Sequence, residues 1–94
     1  MKTLNQTNIK SVNSCRSIIN ITDILIDDVK NQYEFVNRSF NYTINYLLDS
    51  FSIIKFDDVK NIVKYFNLKR FEVVVSLLTD LQKRCKETIK SYYM

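Results

Sequence analysis

The chain has 94 residues, a formal net charge of +4, and no glycine, proline, histidine or tryptophan; alanine is missing as well. Without glycine there is no phosphate-cradling loop or dinucleotide fingerprint, and without histidine the commonest general base and metal ligand is lost. No run of about 18 uncharged apolar residues offers a membrane span, and the opening MKTLNQ lacks the apolar centre of a secretion signal, so an intracellular, cytoplasmic protein is expected.

The remaining bounds follow from the same composition. The length suits one helical domain, 1–94. The excess of Asn, Lys, Ile, Phe and Tyr points to an AT-rich genome, such as that of a virus, plasmid or other mobile element. Residues 1–54 carry five bases and five acids, whereas residues 55–94 carry nine bases and five acids, so the whole positive excess lies in the second part. Four glycosylation sequons, starting at Asn5, Asn20, Asn37 and Asn41, read as chance in an Asn-rich chain.

Residues 1–8 are polar and are expected to fray. From there apolar residues recur in steps of three and four, which marks helical faces. The first stripe is Ile9, Val12, Cys15 or Arg16, Ile19, Thr22, Leu25 and Ile26. Thr22-Asp23 offers a cap that could restart a helix. The stripe continues through Val29, Tyr33, Val36, Phe40, Ile44, Leu47, Leu48 and Phe51. It fits one helix over 17–51, or two hinged near Asp27-Asp28. Two are favoured, because a lone rod of about 50 Å leaves its apolar face uncovered.

Residues 50–56 read as a break. Asp57 and Asp58 then stand where a helix start favours negative charge. Val59, Ile62, Val63 and Phe66 follow at i, i+3, i+4 and i+7, with Lys60 and Lys64 opposite. Asn67 is the expected terminator, since Asn tolerates the left-handed backbone. The last helix is expected from about Lys69 to Tyr92. Phe71, Val75, Leu78, Cys85, Ile89 and Tyr92 keep a heptad spacing with Gln82 as the polar member, and Val73, Val74, Leu77 and Leu81 widen it. A rival reading makes strands of Ile53-Ile54 and Phe71–Val75. The surrounding period of 3.6 and the lack of an Asn-Gly or Asp-Gly turn weigh against it. The expected fold is all-α, a small antiparallel bundle of three or four helices.

The chemistry available is narrow. The adjacent acid pairs Asp27-Asp28 and Asp57-Asp58 are explained by helix ends, and neither cysteine has a histidine to activate it. Two thiols without histidine make no four-ligand zinc site, and the Asp-x-Asp spacing of a calcium loop is absent. No catalytic residue, metal or cofactor is expected. Cys15 and Cys85 read as two half-buried thiols, with a disulfide between the N-terminal region and the last helix as the alternative.

Binding is what remains. Six tyrosines exceed what so small a bundle can bury, and exposed tyrosine favours interfaces. Tyr42, Tyr46, Tyr92 and Tyr93 are therefore candidate contacts, together with the basic end Lys83, Arg84, Lys86 and Lys90. The expected function is a non-catalytic protein-binding module, of the adaptor, inhibitor or immunity type that modulates a host or a toxin, with a partner that can be acidic. The alternative is a nucleic-acid-associated regulator or ribonucleoprotein component using the basic C-terminal half. Residues 57–81 loosely resemble a helix-turn-helix, but the apolar run at Phe71 and Val73–Val75 leaves no polar face for a DNA groove. A third reading is a homo-oligomer paired through the heptad stripe.

Overall fold

The structure is a computed structural model that describes residues 6–31, 36–49 and 54–93, with side chains from residue 9 onward. These residues form four helices: α1 (Gln6–Asn31), α2 (Val36–Leu48), α3 (Phe56–Asn67) and α4 (Phe71–Ser91). There is no strand among the described residues, and Phe71–Val75 lies in α4. The expected all-α bundle is observed, with four helices rather than three.

The helices close into a ring. α1 packs on α2 and α4, and α3 packs on the same two, while the backbones of the diagonal pairs stay apart. Neighbours run antiparallel. Thr22 and Cys15 of α1 face Gln82 and Cys85 of α4 in reversed order. Asp58 and Phe66 of α3 likewise face Arg84 and Phe71 of α4. The outline of 44 × 23 × 19 Å is two helices thick in both short directions.

The core draws on every helix. Cys15, Ile18, Leu25, Ile26 and Val29 come from α1, Phe40 and Leu47 from α2, Val59, Ile62 and Phe66 from α3, and Val74, Leu78, Leu81 and Cys85 from α4. Phe66 anchors three helices: its ring stacks on Phe40 with centroids 3.7 Å apart and meets Phe71 edge-on at 5.6 Å. In α3 the expected face is the buried one, with Val63 half-buried beside it. In α1 the inward residue is Cys15 and not Arg16, and Ile18 is buried while Ile19 is half-covered. In α4 the heptad members Leu78, Gln82 and Cys85 and the widening residues Val74 and Leu81 are buried as expected, whereas Phe71, Val75, Ile89 and Tyr92 are only half-buried.

Two expected boundaries move. α1 runs unbroken through Thr22-Asp23 and through Asp27-Asp28. Thr22 does not cap a helix: its hydroxyl donates to the Ile18 carbonyl at 2.6 Å inside the helix and accepts from Gln82. Asp28 accepts the Ser39 hydroxyl and ties α1 to α2. α1 ends at Asn31 and α2 starts at Val36, and Tyr33 lies outside the described residues, as do Phe51 and Ile53 and the start of the expected break at 50–53. Of the residues expected to fray, 1–5 lie outside the described residues and 6–8 already belong to α1.

The ends of α3 are built from ordinary residues. Asp58 accepts the Lys55 N–H at 3.1 Å, which satisfies one of the free amides at the helix start, and its other oxygen takes Arg84 at 2.9 Å. At the far end the left-handed residue is Lys69, with φ 59°, and not Asn67. The Arg70 N–H reaches the Tyr65 carbonyl at 2.9 Å and the Lys69 N–H reaches Phe66 at 3.0 Å, the paired bonds of a Schellman end. That reversal lays Phe71 against Phe66 and starts α4 back along α3. Arg70 and the first turn of α4 are further joined by an Arg70–Glu72 pair at 3.0 Å. The carboxyl of Glu72 is held below its usual range, first by its own backbone N–H and then by Arg70.

Candidate protein-binding groove

The ring leaves the outer seam between α1 and α2 uncovered, because α3 and α4 lie on its far side. Along α1 the inward positions are Ile18, Thr22, Leu25, Ile26 and Val29. Ile21 and Ile24 fall off that face, onto the side that flanks α2. On α2, Phe40, Thr43 and Leu47 turn inward, which sends Arg38 and Tyr42, one turn apart, toward the same outer side. The result is a groove of about 330 Å³ lined by Ile21, Ile24, Arg38, Ser39, Tyr42 and Thr43.

Its exposed members are large. Ile24 is 60% exposed and Tyr42 is 67% exposed, the highest values among the described large apolar side chains apart from Phe56. Arg38 is exposed and makes no ion pair among the described residues. Ser39 is occupied by Asp28, and Thr43 is buried, so the groove offers two isoleucines and a tyrosine ring with one guanidinium beside them. Such a surface suits a partner with apolar side chains and a carboxylate.

The other candidate contacts are scattered. Tyr46 is half-buried against the core, Tyr92 is half-buried at the end of α4, and Tyr93 beyond it is exposed. Tyr65, half-buried, carries Lys64 5.5 Å above its ring centroid. Lys83, Arg84, Lys86 and Lys90 are all exposed on α4. Because α2 and α4 are diagonal in the ring, Tyr42 is not brought together with Lys83, Arg84, Lys86, Lys90, Tyr92 or Tyr93.

The basic end of α4 is electrically mixed. Arg84 is paired with Asp58, and the groove of about 390 Å³ on that side is lined by Asp58, Asp80 and Glu87 as well as Lys83 and Arg84. Lys83, Lys86 and Lys90 share the outward strip without an ion pair among the described residues. No cluster of three or more metal-ligating side chains is found among the described residues, and no described helix is long and apolar enough to cross a membrane.

Ile21, Ile24 and Arg38 are absent from the contacts expected from sequence. Ile24 does carry a signal there. It is a large apolar residue off the stripe formed by Ile19, Thr22, Leu25 and Ile26, hence apolar where a solvated residue is expected. Comparisons with protein-family models, with curated proteins and with solved structures find no match to this chain.

Proposed function

We propose that this protein is a non-catalytic binding module that receives an amphipathic helix of a partner protein in the α1–α2 seam. The observation that carries the reading is the juxtaposition of exposed Ile24 and Tyr42 across the seam with exposed Arg38 beside them, which makes no ion pair among the described residues. A seam between two antiparallel helices is straight and accepts the ridge of a third helix. Apolar residues at i, i+3 or i+4 and i+7 of that helix cover Ile21, Ile24 and the Tyr42 ring. An acidic residue one turn away meets Arg38. The net charge of +4 also favours approach of an acidic partner over a basic one. The mixed charge around Arg84 supports this reading over a nucleic-acid surface, which needs an unbroken positive strip.

The test is selection from a displayed library of amphipathic helical peptides of about 18 residues, five turns. Enriched sequences are expected to pair an apolar i, i+3/i+4, i+7 face with Asp or Glu near one end. Ile24→Asn and Tyr42→Ala are expected to remove binding, and Arg38→Glu to turn the preference toward Lys and Arg. Binders that are indifferent to all three substitutions overturn the reading. So does enrichment of none, accompanied by salt-sensitive binding of duplex DNA. Self-association through the seam is read in the same samples by sedimentation, and a dimer broken by Tyr42→Ala replaces the foreign helix with a second copy.

A further inference from the structure

Cys15 and Cys85 stand 70 positions apart in sequence and meet in the seam between the two longest helices. Both are wholly buried and neither is bonded. Both belong to one buried cluster, and they are close enough for each to perturb the other's ionisation. The seam is held in register by Gln82, one turn from Cys85, on Thr22, two turns from Cys15. Cys85 also underlies a groove of about 450 Å³ whose walls include Ile54, Lys55, Leu81, Arg84 and Thr88. The fold therefore brings two thiols from opposite parts of the chain together and then covers them.

We propose that Cys15 and Cys85 are a disulfide site whose state is decided while the chain folds. The co-reactant is a small disulfide such as oxidised glutathione. One protein thiolate attacks its S–S bond and forms a mixed disulfide, releasing one glutathione. As α1 and α4 come together, the second protein thiolate attacks the protein sulfur of that mixed disulfide, closing the Cys15–Cys85 bond and releasing the second glutathione. Two electrons pass to glutathione, and the two thiol protons end on the two released thiols.

Once the bundle has formed, the same oxidant finds no nucleophile. The reactive species is the thiolate, and burial pushes both thiols up, Cys85 to about 12. Neither sulfur is exposed to an incoming disulfide. The dithiol form thus persists in an oxidising medium, and the disulfide form is shielded from attack by reducing thiols. The two forms differ in stability, because a cross-link between residues 15 and 85 restrains most of the unfolded chain.

The test uses the wild-type chain. Reduced, denatured protein is diluted into buffer with reduced glutathione alone or with a mixture of oxidised and reduced glutathione. Folded dithiol protein receives the same mixture for the same time. Acid-quenched samples are unfolded, alkylated and weighed. Chain refolded in the mixture is expected to be lighter by two hydrogens, to take up no alkylating agent and to unfold at a higher denaturant midpoint. Folded dithiol protein is expected to keep both thiols. Refolded chain that instead carries glutathione on either cysteine, or a folded dithiol that oxidises as fast as the refolding chain, overturns the proposal. A Cys15→Ala chain refolded in the mixture is expected to show no rise in midpoint, and a rise in it has the same force. None of these readouts depends on the partner groove, so the two proposals stand or fall separately.

Discussion

Gln82 of α4 donates its side-chain amide to the Thr22 hydroxyl of α1 at 2.9 Å, and the same nitrogen lies 2.7 Å from an Asp23 carboxylate oxygen and 3.1 Å from the Ile19 carbonyl. This is a polar clamp in an apolar seam, and it leaves no described buried side-chain polar atom without a partner. Its role is register: α1 cannot slide along α4 by one turn without orphaning these groups. Gln82→Ala removes the bonds and opens a cavity, and is expected to cost about 2 kcal/mol in chemical denaturation. Gln82→Leu fills the space, while Thr22 keeps its bond to Ile18 and Asp23 turns to water. It is expected to stay within about 1 kcal/mol of wild type. A Leu variant as unstable as the Ala variant contradicts the clamp as described.

Lys69 occupies the left-handed position that ends α3, where a side chain beyond Cα is strained. Lys69→Gly is expected to raise stability by about 1 kcal/mol, net of the entropy glycine adds to the unfolded chain. Lys69→Val is expected to lower it, since a branched β-carbon tolerates this backbone least. Urea midpoints of the three proteins decide the order.

The partner groove and the basic end of α4 make opposite predictions about salt. If the α1–α2 seam binds, replacing Lys83, Lys86 and Lys90 together with Glu leaves peptide affinity within about threefold, since these residues face another side of the ring and act only through the screened field. Tyr42→Ala is expected to lose binding while unfolding within about 0.5 kcal/mol of wild type, because the side chain is mostly exposed. Titration at two ionic strengths with folded stability measured alongside separates the cases.

The buried thiols give the reduced protein an alkaline limit. A thiol of ordinary pKa in the unfolded chain ionises near pH 9, whereas Cys85 in the folded chain does so only near 12. Its folded value is raised, so the stabilisation is complete below about pH 9 and is lost as pH climbs toward 12. The expected slope is up to about 1.4 kcal/mol per pH unit for each such thiol. The readout is the difference in slope between reduced wild type and Cys85→Ala. Parallel slopes contradict the assignment.

How much of this was legible beforehand depended on whether the deciding interaction was local. Asp57, Asp58 and the stripe Val59, Ile62, Val63, Phe66 delimit α3 from within, and they stand as expected. The choice between Ile18 and Ile19 is different. Both are apolar neighbours on one helix, and the approach of α4 decides which is sealed. Thr22 looked like a cap because threonine favours that position in isolation. Its true partner, Gln82, is 60 residues away. Asn67 obeyed the same local preference and lost to Lys69, because the chain must turn where Phe71 can reach Phe66. Tyr42 was recognisable as a surplus aromatic. Its grouping with Ile24 and Arg38 required the pairing of α1 with α2, which periodicity within one helix does not encode.

The cyclic order of the four rods has a mechanical consequence. A wedge driven between the first two reaches the opposite corner by one of two detours. One runs through the flat contact of two phenyl rings, Phe40 on Phe66; the other crosses from Thr22 to Gln82. Among the described residues no backbone contact spans either diagonal, so loosening one of these links throws more of the coupling onto the other.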